Sequence, residues 1–75
     1  MRPLEAEHRG WKIRVIAHPV GGTWTALVEV RAPGSADGAE AQLVPFSATL
    51  PSEKDAQAAG RLAAVRWLDR EATSG

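Results

Sequence analysis

The side chains able to do chemistry in this chain are few and scattered. His8 and His18 stand ten residues apart, neither has an acidic neighbour at ligand spacing, and there is no cysteine. No metal site is expected from such a set, because structural and catalytic metal centres draw on clustered His, Cys and carboxylate ligands. Ser47, Thr49 and Ser52 could act as nucleophiles only beside an activating base, and the sequence places no histidine near them. Ser52 reads better as a helix cap. Gly21-Gly22 is followed by Thr23-Trp24 rather than by Lys-Ser or Lys-Thr, and no helix opens there, so it is a turn and not a phosphate loop. Two-carboxylate acid–base chemistry needs a pocket, and a small sheet-and-helix domain offers little room for one. These residues point to a protein that is not an enzyme and takes no cofactor. What they leave is surface: charged and apolar side chains that could meet a partner.

The chain has 75 residues, which allows one domain. A chain this short buries only about 60% of its unfolded surface, so its fold is marginal alone. Nine basic and nine acidic residues give a formal net charge of zero. Residues 1–33 carry five basic and three acidic groups (+2), and residues 34–75 carry four and six (−2). No strong field draws the protein to nucleic acid or to an anionic membrane. No apolar run approaches the ~20 residues that span a bilayer, and the first residues hold no apolar signal core, so the chain is read as cytoplasmic. Absence of cysteine agrees with a reducing compartment. Seven of the nine basic residues are Arg and alanine is abundant, a usage typical of GC-rich bacterial genomes.

The segment that organises the rest is Ser52 to Arg70. Ser52 is a good N-cap, Asp55 stands three residues on as in a capping box, and Pro51 suits chain entry. Glu53 and Asp55 complement the positive end of the helix dipole; Arg66 and Arg70 complement the other. At 3.6 residues per turn, Ala56, Ala59, Gly60, Ala63, Ala64 and Trp67 fall on one stripe, small until its last member. Gly60 costs about 1 kcal/mol against Ala inside a helix, and close approach of a sheet is the reason to keep it. Leu62, Val65 and Leu68 form a second apolar strip among Arg61, Arg66 and Asp69, available to a partner.

Upstream, Met1 to Gly10 is polar without a period and reads as a mobile terminus. Trp11 to His18 alternates as a half-buried strand. Gly21-Gly22 is a two-residue hairpin signal, since both glycines tolerate positive φ. Thr23 to Arg31 follows as the second strand. A two-residue turn pairs residues whose numbers sum to 43, which sets Ala17 against Ala26, Val15 against Val28 and Ile13 against Val30 on one face. On the other face it sets Arg14 against Glu29 and Ile16 against Leu27. A four-residue loop (sum 41) also keeps the apolar faces together but loses the match of Arg14 with Glu29. Trp11 and Trp24 fall on the core face. Residues 32–41 are rich in Gly, Pro, Ser and Asp and read as a flexible connection. Gln42 to Thr49 is the third strand, with Val44, Phe46 and Ala48 facing the core, and Pro45 keeps it at an edge or a bulge. Residues 71–75 are a patternless tail. The fold class is therefore α+β: a three-stranded antiparallel β-meander with one C-terminal α-helix packed on one face, a single β-β-β-α domain over residues 11–70.

Two resemblances bear on this fold. Ser52-Glu53-Lys54-Asp55-Ala56-Gln57-Ala58-Ala59-Gly60-Arg61-Leu62-Ala63-Ala64 resembles the last helix of double-stranded-RNA-binding domains, which also follows three antiparallel strands. In that family basic residues at the helix start hold phosphates; here Lys54 matches, while Glu53 and Gln57 replace the others. The family's first helix has no counterpart. Gly22-Thr23-Trp24-Thr25-Ala26 with Ser52-Glu53-Lys54-Asp55-Ala56 resembles the HicB-like antitoxin domain, without its Pro-Asp-Leu-x-Gly-Cys segment. The whole is similar to small bacterial proteins of β-β-β-α shape.

The open face of the meander carries Lys12, Arg14, Ile16, His18, Thr25, Leu27, Glu29 and Arg31, joined by Leu43 and Pro45. An apolar centre within a charged rim is the anatomy of a partner surface. The leading reading is a non-catalytic protein-interaction module that self-associates or binds a protein, with Ile16, Leu27 and Leu43 on the sheet and Leu62 and Val65 on the helix in contact. The alternative is a weak RNA- or DNA-binding module using Lys12, Arg14 and Arg31 on the sheet rim and Lys54 at the helix start.

Overall fold

A computed structural model describes residues 3–34 and 41–73. The described chain forms β1 (Leu4–His8), β2 (Trp11–Val20), β3 (Thr23–Arg31), β4 (Gln42–Val44) and α1 (Glu53–Thr73). The strands make one antiparallel sheet in the order β1-β2-β3-β4. It is a meander with one helix across one face, α+β as the sequence implies, but with four strands where three are expected.

The additional strand is β1. Leu4-Glu5-Ala6-Glu7-His8 alternates apolar and charged residues, yet Glu and Ala are poor strand formers and the run is short. Pairing decides its state. Arg9 at φ 54° and Gly10 at φ 82° make a two-residue turn with the paired positive φ values of type I′. That turn folds Leu4 onto Val15, Ala6 onto Ile13 and His8 onto Trp11.

The β2–β3 register is the one the Gly-Gly turn dictates, with Ile13 opposite Val30, Val15 opposite Val28 and Ala17 opposite Ala26. Only Gly21 takes positive φ, at 59°, so the turn is of the II′ kind, which demands glycine at its first central position alone. β4 is shorter than the expected run to Thr49. It stops at Val44, before Pro45, because proline has no amide to continue the ladder. The chain returns to the sheet at Leu50, which exchanges two backbone hydrogen bonds with Trp24, at 2.8 and 2.7 Å. Ala48 is exposed rather than core-facing, and its carbonyl accepts a hydrogen bond from Thr25 Oγ1 at 2.8 Å.

Ser52 caps α1 as its type and place foretell: its Oγ accepts from the Asp55 amide at 3.1 Å. The helix runs past Arg70 to Thr73, so most of the expected tail is helical. Its fully buried row is Ala56, Gly60, Ala64 and Leu68. Ala59, Ala63 and Trp67 flank that row, and all three are half-buried. Leu68 is therefore core, a correction to its place on the outer strip: an i, i+4 row drifts slowly around the helix and carries the fourth member under it. The core joins Leu68 and Ala64 to Ile13, Val15, Ala26, Val28, Val30 and Val44. Leu4, Ala6, Trp11, Phe46, Val65 and Trp67 close its margins. Trp11 and Trp67 meet edge to face with centroids 6.5 Å apart. Among the described residues no polar side chain is buried.

Candidate interaction surface

The pleat sends alternate residues of each strand to opposite faces. Because Ile13, Val15, Val28 and Val30 face α1, their neighbours Lys12, Arg14, Ile16, Leu27, Glu29 and Arg31 share the open face. β1 adds Glu5 and Glu7 there, opposite Arg14 and Lys12. β4 adds Leu43, opposite Glu29.

The surface divides by composition. Ile16 and Leu27 are cross-strand partners; Ile16 is half-buried, while Leu27 is 43% exposed and Leu43 63% exposed. Above Ile16 and Leu27, and level with Leu43, lies a charged field with a carboxylate on each side of Arg14, Glu5 from β1 and Glu29 from β3. Lys12 stands between Glu7 and Arg31. The six charged groups Glu5, Glu7, Glu29, Lys12, Arg14 and Arg31 sum to three negative and three positive. A shallow depression runs among them, lined by Glu5, Lys12, Arg14, Glu29 and Arg31.

Of the sequence-selected contact residues, Ile16, Leu27 and Leu43 thus share one face. Leu62 and Val65 sit on α1, in the other layer. Leu62 is 49% exposed; Val65 is half-buried against the core margin. Of the basic set, Lys12, Arg14 and Arg31 share the open face, whereas Lys54 is exposed on α1 and does not join them.

Sequence reasoning missed Glu5 and Glu7, and with them the neutrality of the open face, because Leu4 to His8 reads as part of a terminus. It also missed a polar cluster at the upper end of the helix. His8 Nε2 donates to Asp69 Oδ1 at 2.8 Å, and Arg9 Nε donates to the same oxygen at 2.7 Å. These two hydrogen bonds hold the Asp69 carboxyl below its usual value of 3.8, His8 contributing most and Arg9 next. An imidazole oriented by a carboxylate is half of a nucleophile–base relay. The two hydrogen bonds tether the end of β1 and its turn to the helix. No local signal links positions 61 residues apart. Among the described residues no three metal-ligating side chains converge, and no helix is long and apolar enough to cross a membrane.

Compared with protein-family models, curated proteins and solved structures, the chain has no significant match to any.

Proposed function

We propose that this protein is a non-catalytic interaction module that self-associates through the open face of its sheet. The observation that carries the reading is the apolar group of Ile16, Leu27 and Leu43 beside a charge-balanced field. A flat sheet face with that composition suits another protein surface: its apolar part gains from burial at about 25 cal/mol per Å², and its alternating charges supply register. Neutrality of the field speaks for a protein partner over nucleic acid, since phosphate contacts require uncompensated Lys and Arg. Here Glu5 and Glu7 stand directly against the basic residues that an RNA or DNA strand would need.

The test is solution mass by sedimentation, on the wild type and on Leu27→Glu and Ile16→Glu. The wild type should associate in the micromolar range, and either carboxylate should weaken association at least ~10-fold, the cost of placing a charge where an apolar side chain is buried. A wild type that stays monomeric at high micromolar concentration overturns the reading. Binding to RNA or DNA at ~50 mM salt, abolished by Arg14→Glu, would replace it with the nucleic-acid alternative.

A further inference from the structure

The flank of α1 beside β4 holds a crevice separate from the open face of the sheet. Its volume is about 270 Å³, and it is lined by Val44, Pro45, Ala63, Arg66, Trp67 and Arg70. The four helical residues are spaced i, i+3, i+4, i+7, so they share one side of the helix. Two causes open the gap. β4 stops at Val44, because Pro45 has no amide to continue the ladder. On the helix, Ala63 brings only a methyl group to a place where a longer side chain would fill the space.

Val44 is buried, Ala63 and Trp67 are half-buried, and Pro45, Arg66 and Arg70 are exposed. The crevice therefore has an apolar wall and a basic rim. Trp67 meets Trp11 edge to face, and that contact holds its ring beside the gap. None of the six lining residues is acidic, in contrast to the balanced field of the open face.

The helix dipole accounts for one of the two arginines. Arg70 lies in the last turn, where a cation complements the dipole. The helix runs on to Thr73, which leaves Arg66 about two turns from the end and beyond the reach of that effect. Like charges four apart on a helix repel, and an anion shared by the two guanidinium groups relieves that repulsion. Asp69, three residues on from Arg66, directs its Oδ1 to His8 and Arg9 on the β1 side. Among the described residues Arg66 enters no ion pair.

We propose that this crevice binds an acidic peptide of another protein: one aromatic side chain enters beside Val44, Pro45 and Trp67, and its flanking carboxylates pair with Arg66 and Arg70. An aromatic ring makes favourable offset or edge contacts with an indole, and a guanidinium group donates two parallel hydrogen bonds to a carboxylate. The space suits a single side chain rather than a whole small molecule, because it falls below the ~300–1,000 Å³ usual for small-molecule pockets. Two cations one turn apart match a local pair of carboxylates, whereas a nucleic-acid strand needs a basic track along successive phosphates.

The test is a nuclear magnetic resonance titration of the full chain with three end-blocked tripeptides, Asp-Phe-Asp, Asp-Ala-Asp and Lys-Phe-Lys. Asp-Phe-Asp should shift the Trp67 indole N–H and the methyls of Ala63 and Val44. Each of the other two should bind at least ~10-fold more weakly, Asp-Ala-Asp from loss of the buried ring and Lys-Phe-Lys from charge repulsion. Arg66→Glu, at an exposed position, should weaken Asp-Phe-Asp at least ~10-fold while the folded amide spectrum is retained. Arg66→Gln should weaken it less. The proposal is overturned by an absence of shifts, by equal response to the three peptides, by an unchanged response of Arg66→Glu, or by shifts confined to Ile16 and Leu27. Adenosine monophosphate moving the Trp67 indole at lower concentration than Asp-Phe-Asp also overturns it. These reporters lie on α1 and on the helix side of β4, so the outcome is independent of self-association through the open face.

Discussion

At position 60 a single hydrogen sets the distance between the two layers. Alanine there gains about 1 kcal/mol of helix propensity, but its methyl would lie 2.6 Å from a fully buried valine methyl and 3.2 Å from another. Forcing extra carbon into a packed core costs about 1–3 kcal/mol, and neither valine has a flexible end that could move aside. Gly60→Ala should therefore lower stability to urea by up to about 2 kcal/mol. A more stable variant would show that the layers are looser than described. The role of Gly60 is legible in the sequence, because a glycine inside an alanine stripe sacrifices helix propensity for nothing unless a second layer comes close. The place of Leu68 is not. It lies eight residues beyond Gly60 and four beyond Ala64, so it continues the same row, but assigning it to the outer strip requires a fixed axis that the helix does not keep. Leu62, one strip away, remains exposed. The two leucines are alike in type and neighbourhood, and only the direction of the sheet distinguishes them.

Among the elements, the central hairpin is the most legible, because its register follows from one turn and one alternation. The turn itself is more specific than Gly-Gly suggests. Gly21 occupies left-handed φ and Gly22 does not, and neither position meets a neighbour within 4 Å. Gly21→Ala should thus cost about 1–2 kcal/mol, the penalty of a side chain in left-handed backbone. Gly22→Ala should lie within about 0.5 kcal/mol of wild type, or gain a little from a stiffer unfolded chain. Paired thermal melts of the two variants decide it, and equal losses would refute the turn assignment. β1 escapes detection because its strand character comes from β2 rather than from its own residues. A short Glu-rich run acquires a ladder only once Arg9 and Gly10 reverse the chain. β4 is legible in place but not in length, since Pro45 limits it while the extended segment behind it still follows the sheet as far as Leu50. The flexible connection expected over 32–41 lies partly outside the described residues.

For the molecule as a whole, helix and sheet are joined by, among other contacts of the described residues, Gly60 on the hairpin, Trp67 on Trp11, and Asp69 on His8 and Arg9. The last gives the fold a pH dependence whose sign is fixed. The Asp69 carboxyl titrates lower in the folded protein than at its ordinary value of 3.8. Its contribution is therefore complete above that value and is lost as pH falls through the lower, folded one. Asp69→Asn should reduce the melting temperature near neutral pH and should matter progressively less as the pH falls below 3.8 towards the lower, folded value. A difference between the two proteins that stays constant over this range would mean that the tether carries no charge. The tether is not legible in the sequence, since it requires β1 to exist and α1 to climb towards its turn. The open face is legible in its centre, where Ile16 and Leu27 pair by register. It is misread at its rim, where the missing strand supplies two of the three acids.

The order of the elements along the chain has one more consequence. Ribosomes deliver the strands first and the helix last, so the growing sheet emerges with Ile13, Val15, Val28 and Val30 wet on the side that α1 will later cover. Until translation reaches Leu68, the nascent hairpins have nothing dry to lean on. A stalled polypeptide of that length would be the form of this protein that chaperones and proteases recognise.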